Sequence, residues 1–184
     1  MFQKALEQIS RGLEKLSVGY MVIGGQALLV YGEPRFTKDI DITLGVGVER
    51  FSEILKLIFE WKWKVLADKP EEFVKKTMVL PCQDPETGVR VDFIFSFTPY
   101  ERQAIERANS ISLGKTKVRF ASPEDFIVHK MVASRPRDLE DIRSVLLKNP
   151  NLNFPYIQKW LEEFEKTLGR SLGNLFQEIR QELK

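Results

Sequence analysis

Cysteine and histidine are almost absent: the 184 residues contain one of each, Cys82 and His129. A lone cysteine cannot close a disulfide within the chain, and the two residues together fall short of a structural zinc ligand set. A reducing, cytoplasmic setting is the expectation. Long apolar runs are missing too, and nothing approaches the ~20 apolar residues that cross a bilayer. The opening MFQKALEQISRGLEKL spaces Phe2, Leu6, Ile9, Leu13 and Leu16 at helical intervals with charges between them, unlike the unbroken apolar core of a secretory leader. No membrane association is expected. Nor is there a surplus of one charge: 28 Lys and Arg against 26 Asp and Glu leave +2, too little to indicate a nucleic-acid partner by composition.

What is present is ordinary globular material, 43% hydrophobic and 29% charged. The expected organisation is a main domain over residues 1–150 and a helical extension over 151–184 packed on it.

The informative stretch runs from Tyr20 to Leu44, YMVIGGQALLVYGEPRFTKDIDITL. Tyr20 to Ile23 reads as a buried strand that stops at Gly24 and Gly25, and Gln26 to Tyr31 has the composition of a short helix. A strand, a glycine turn and a helix suit phosphate. The glycines admit close backbone approach, and the first turn of a helix offers unpaired N–H groups with a partial positive charge. From Asp39 to Leu44 the chain alternates Asp-Ile-Asp-Ile-Thr-Leu, so a strand there turns Asp39 and Asp41 to one face and Ile40, Ile42 and Leu44 to the other. Two adjacent carboxylates repel and call for a cation; Mg²⁺, which takes oxygen ligands and one or two carboxylates, is the usual one.

Farther on, Val48 to Glu60 places Phe51, Ile54, Leu55 and Ile58 on a helical stripe, and Trp61 to Ala67 alternates like a half-exposed strand with both tryptophans inward. Thr77 to Cys82 and Val89 to Phe97 flank the turn-rich QDPETG and predict an antiparallel hairpin. In VRVDFIFSF, Arg90, Asp92 and Ile94 share one face; Asp92 is an acid in an apolar strand, costly unless paired or bound to a metal. A helix is expected over Pro99 to Asn109 and a strand over Lys117 to Ala121. Ser122-Pro123-Glu124-Asp125 then reads as a helix start with a capping serine, proline in the first turn and an acid three residues after the cap. That helix should reach Ser134 and a second should run from Asp138 to Lys148. Phe154 to Lys184 spaces Trp160, Leu161, Phe164, Leu168, Leu172, Phe176 and Ile179 as one or two closing helices.

Two other motifs are set aside. Gly169-Arg170-Ser171-Leu172-Gly173 matches G-x-S-x-G, but no strand precedes it and the only histidine lies upstream, the wrong order for an α/β-hydrolase triad. Gly114-Lys115-Thr116 resembles the end of a P-loop, yet Asn109 stands where its first glycine belongs and a strand follows where a helix should.

Ile23-Gly24-Gly25 followed after thirteen residues by Asp39-Ile40-Asp41-Ile42 resembles the signature of the DNA polymerase beta-type nucleotidyltransferase superfamily. With Arg35 and Thr37 just ahead of Asp39, it is similar to the small AbiEii-like, toxin-related members. The resemblance implies a mixed α/β (α+β) nucleotidyltransferase fold: a central mixed sheet flanked by helices, with further helices at the C-terminus. It implies that Asp39, Asp41 and Asp92 are catalytic and bind Mg²⁺ or Mn²⁺. Gly24, Gly25, Arg35 and Thr37 would contact the nucleotide, and within HKMVASRPRDLEDI so would Lys130 and Asp141. The implied reaction moves a nucleoside monophosphate from an NTP to an acceptor, RNA or a tRNA end among the candidates, with an antitoxin as protein partner. The alternative is a catalytically inactive nucleotide-binding or toxin–antitoxin partner module. A plainer account of the last motif also stands: Asp138 as a helix cap, and Arg137 with Asp141 as an i,i+4 surface pair.

Overall fold

In the computed structural model, residues 1–96 and 98–183 are described; Phe97, the expected end of the second hairpin strand, and Lys184 lie outside the described residues. The chain forms two compact units, one of residues 1–26 and 36–121, the other of residues 27–35 and 122–184.

The first unit is built on a mixed sheet. In chain order its strands are β1 (Tyr20–Ile23), β2 (Asp39–Leu44), β3 (Lys64–Val65), β4 (Val79–Gln83), β5 (Arg90–Phe95), β6 (Asn109–Leu113) and β7 (Thr116–Phe120), and in space they run β3-β4-β5-β2-β1-β7-β6. β2 is central, antiparallel to β1 and parallel to β5. Helices α1 (Phe2–Lys15) and α3 (Phe51–Glu60), the latter entered through a 3-10 turn at Val48–Arg50, supply the apolar cover. Ile9, Leu13, Ile54 and Ile58 are fully buried with Val22, Ile42 and Phe93 of the sheet. The Ser10 hydroxyl donates to the Lys117 carbonyl at 2.7 Å, fixing α1 against β7. Gly12 is required by this packing, since a Cβ there would lie 2.3 Å from Cζ2 of Trp61.

The expected strand over Trp61 to Ala67 shortens to Lys64–Val65 because the Trp61 N–H still donates to Leu57 and Lys62 takes a positive φ of 59°, closing α3. Trp63 is buried while Trp61 is half-buried, and the two rings meet at 5.0 Å. Two elements go beyond the sequence reading. One is α4 (Pro70–Thr77), which carries Pro in its first turn, Glu71 and Glu72 after it and Lys75 and Lys76 at its end, and the other is edge strand β6. Helix α5 (Pro99–Arg107), capped by Thr98, precedes the β6–β7 hairpin.

The second unit contains most of α2 (Gly24–Tyr31) together with α6 (Pro123–Ala133), α7 (Pro136–Lys148), α8 (Phe154–Leu168) and α9 (Leu172–Glu182). Phe126, Ile127, Met131, Ile142, Val145, Ile157, Leu161 and Phe176 form its interior. Ser122 caps α6 as expected, accepting from the Asp125 N–H at 3.1 Å. Asp125, fully buried, accepts hydrogen bonds from the Ser122 hydroxyl at 2.6 Å and the Tyr156 hydroxyl at 2.7 Å, which ties α8 to the start of α6. Helix α7 begins two residues before the expected Asp138, because the Asp138 carboxylate is its N3 group and accepts from the Arg135 N–H at 3.2 Å. Among the described residues, no helix is long and apolar enough to cross a membrane.

Candidate active site

The site begins where β1 ends. Ile23 stands opposite Asp41 on β2, and the chain then turns through Gly24, at φ +63°, into the first turn of α2. A Cβ on Gly24 would lie 2.0 Å from Oδ2 of Asp41, so that carboxylate occupies space that only a glycine leaves open. Gly25 is close to Thr37 in the same way, its absent Cβ 2.2 Å from Cγ2. Thr37, buried on the approach to β2, accepts from Gln26 Nε2 at 2.8 Å, so the glycine turn and the segment before Asp39 are pinned together.

The carboxylates follow from strand register. β2 and β5 pair in parallel with Asp41 directly beside Asp92 and Asp39 beside Arg90. Residues in register on neighbouring strands share a face and lie about 5 Å apart. Asp39, Asp41 and Asp92 therefore share one face, opposite the buried Ile40, Ile42, Val91 and Phe93. All three acids are half-buried. Thr43, two residues beyond Asp41 on the same face, is buried and its hydroxyl oxygen lacks a hydrogen-bond partner, a state that costs ~1–3 kcal/mol.

Arg90 is paired with this acidic face. Its Nε and Nη2 donate to Oδ1 and Oδ2 of Asp92 at 3.1 and 3.2 Å. The Asp92 hydrogen bond and charge, with smaller help from Asp39 and Asp41, push the guanidinium pKa further up. Among the described residues, no three His, Cys, Asp or Glu side chains are gathered in positions that hold a metal ion as they stand. The donor set nevertheless suits Mg²⁺ or Mn²⁺: hard carboxylate oxygens on adjacent strands in register, with a glycine cradling one of them.

In the second unit, Lys130, Asp141 and Arg35 form a cluster of their own with Asp138. Lys130 Nζ lies 2.7 Å from Asp138 and 2.8 Å from Asp141, and Arg35 forks onto Asp141 with two hydrogen bonds of 3.0 Å. Lys130, Asp138 and Asp141 are buried. Burial by itself would push the Asp141 carboxyl up; hydrogen bonds from Arg35 and Lys130 outweigh it and hold it below the usual range. Asp138 is lowered likewise, with Arg135 and Lys130 overcoming its burial. Asp141 thus pairs with Arg35 and Lys130 where the plainer sequence account gave it Arg137.

Three residues that shape these clusters are not among the site residues expected from the sequence. Gln26 had no signal beyond following the glycines. Asp138 was legible only as a cap. Arg90 was visible as the residue two before Asp92 on the same strand face, which is the spacing that lets it fold over that carboxylate.

Compared with curated protein sequences, the chain has no match. Among solved structures it is similar to an antigenic nucleotidyltransferase-like protein from Paracoccidioides brasiliensis, with TM-score 0.57, 16% identity, and 97% of this chain and 91% of that one covered. It is also similar to the ANT(2")-Ia protein crystallised with adenylyl-2"-tobramycin, with TM-score 0.60, 16% identity, and 90% and 97% covered. At these identities the likenesses establish the nucleotidyltransferase fold. Residues 6–182, nearly the whole chain, match the family described as nucleotidyl transferase AbiEii toxin, type IV TA system. The chain is therefore a member of the AbiEii nucleotidyltransferase family.

Proposed function

We propose that this protein is a divalent-metal-dependent nucleotidyltransferase that moves a nucleoside monophosphate from an NTP to a hydroxyl acceptor and releases pyrophosphate. The observation that carries the reading is the register Ile23–Asp41–Asp92 with Gly24 against Asp41, which joins a phosphate-type turn to a row of carboxylates. Asp39 and Asp41 would hold the ion that meets the triphosphate, and Asp41 with Asp92 a second. Bound ions of this kind supply positive charge at the phosphoryl group and lower the pKa of the attacking hydroxyl.

The chain's own residues do the rest. The N–H groups of Gly24, Gly25 and Gln26, first in α2 and unpaired within it, seat the phosphates. Thr37 and Gln26 keep that turn fixed relative to β2, so that binding need not first order it. Asp92 accepts the acceptor's proton as the new ester bond forms. Arg35, Lys130 and Asp141 carry mutual ion pairs and serve first to hold the second unit together.

Asp39→Asn and Asp41→Asn should each abolish transfer of label from an α-³²P NTP while circular dichroism stays unchanged. Full turnover in either variant would sink the mechanism. RNA is the acceptor class to try first, in keeping with the toxin description of the family, and total RNA and tRNA incubated with labelled NTP give the test. An antitoxin partner rests on the same description.

The Arg90–Asp92 pair favours a second reading, a nucleotide-binding module without turnover, because it occupies the third carboxylate. Tight NTP binding with no transfer to any acceptor in the presence of Mg²⁺ and Mn²⁺ would select that reading.

A further inference from the structure

We infer that Arg90 is a built-in counter-cation that competes with the divalent ion for Asp92, so that the carboxylate row assembles only when metal displaces the guanidinium. The inference rests on the metal-dependent reading above and concerns how that site is controlled.

Three observations point the same way. First, the guanidinium meets both oxygens of Asp92 through two hydrogen bonds, the fork that carboxylates also offer to metals. Second, Arg90 lies beside Asp39 in the register that puts Asp92 beside Asp41, so the cation that holds Asp92 comes from the same row of strand positions as the acids. Third, the three acids share a face on adjacent strands, so the side chain that Arg90 holds is one that a metal on this face would need. A carboxylate committed to a guanidinium is not free to turn toward its neighbours.

The release of Arg90 is easy. Its side chain is 53% exposed whereas that of Asp92 is 18% exposed, so the arginine can swing into water while the aspartate stays. Exposed pairs are weak and screened by salt, while a divalent ion held by several carboxylates gains far more. A freed guanidinium beside the site is also a fitting partner for a substrate phosphate. Arg90 acts through Asp92, and is a positioning residue.

The test is Mn²⁺ affinity of the full chain without nucleotide, measured by electron paramagnetic resonance and calorimetry, for wild type, Arg90→Gln, Arg90→Lys and Asp41→Asn. Competition predicts three- to tenfold tighter Mn²⁺ binding in R90Q and a smaller gain in R90K, which keeps the charge and loses the fork. Metal should also raise the melting temperature of R90Q more than that of wild type, a shift read on folded protein. Unchanged affinity in R90Q overturns the inference. Tighter binding in R90Q with R90K equal to wild type also overturns it, because the effect is then one of charge at a distance. If wild type binds Mn²⁺ no better than D41N and no Arg90 variant differs, the metal-dependent reading itself falls and the inference with it.

Discussion

The Asp41 carboxylate fills the space that a side chain on Gly24 would need: a Cβ at position 24 would stand 2.0 Å from the Asp41 Oδ2 oxygen, at a φ of +63°. Two penalties therefore coincide in Gly24→Ala. The left-handed backbone costs an alanine ~1–2 kcal/mol, and the Asp41 carboxylate must leave its position. Gly88 separates them, with φ +71° and nothing within 4 Å of its would-be Cβ. Gly24→Ala and Gly88→Ala should both lose stability by chemical denaturation, Gly24→Ala somewhat more. Only Gly24→Ala should lose nucleotidyl transfer, by ~10²-fold or more, the scale on which small displacements of reacting groups act. Equal activity in the two variants would detach the glycine turn from the chemistry.

Lys130 offers a sharper choice between roles. Its ammonium is buried between Asp138 and Asp141, and Lys130→Met would leave two acids with their remaining partners Arg135 and Arg35. Removing one partner of a buried pair costs ~3–5 kcal/mol. A loss of that size, with NTP affinity of the still-folded variant within about twofold of wild type, is the expected result. A large loss of NTP affinity at unchanged stability would instead make Lys130 a direct nucleotide contact.

The same cluster sets an acid limit. Asp138 and Asp141 titrate below their usual value of 3.8 in the folded chain, so the unfolded chain binds their protons first as pH falls. Their stabilisation is fully present above about pH 4 and is lost as pH drops through the folded-state values. Melting temperature should hold its contribution from this cluster between pH 7 and pH 4 and decline below that. Asp141→Asn, which cannot be protonated there, should be less stable at pH 7 and show a shallower acid limb. An identical limb in both proteins would place the acid sensitivity elsewhere.

How much of this was legible depends on the range of each interaction. The common face of Asp39 and Asp41 follows from a period of two, and the Ser122 cap from local chemistry, so both could be read directly. That Asp92 lies beside Asp41 depends on parallel pairing of strands about fifty residues apart, which no local pattern contains and the family resemblance alone suggested. For Lys130 and Asp141 the sequence leaves a nucleotide contact beside a solvated lysine and an Arg137–Asp141 surface pair, because the partners Asp138 and Arg35 come from a helix turn and a distant loop. The strand expected at Trp61 failed for the opposite reason: its alternation was genuine, but Lys62 at positive φ lets one apolar pattern serve the end of a helix and a two-residue strand. The recruitment of residues 27–35 into the second unit likewise has no local signature.

Cys82 reports on the strand pair that carries Asp92. It is fully buried on β4, paired with Val91 of β5, and burial, aided by the nearby Asp92 charge, pushes its thiol up to about 12. The reactive thiolate is therefore scarce at neutral pH, and a reagent must wait for the strands to part. Native protein at pH 8 should label with a disulfide reagent far more slowly than protein in denaturant, where the single thiol reacts at once. If Asp92 joins a metal site, saturating Mn²⁺ should slow native labelling further, because an ion bridging β2 and β5 resists the opening that exposes β4. The Asp92→Asn variant should lose that metal effect while keeping the slow basal rate, and a metal effect that survives in D92N would show that the ion binds elsewhere.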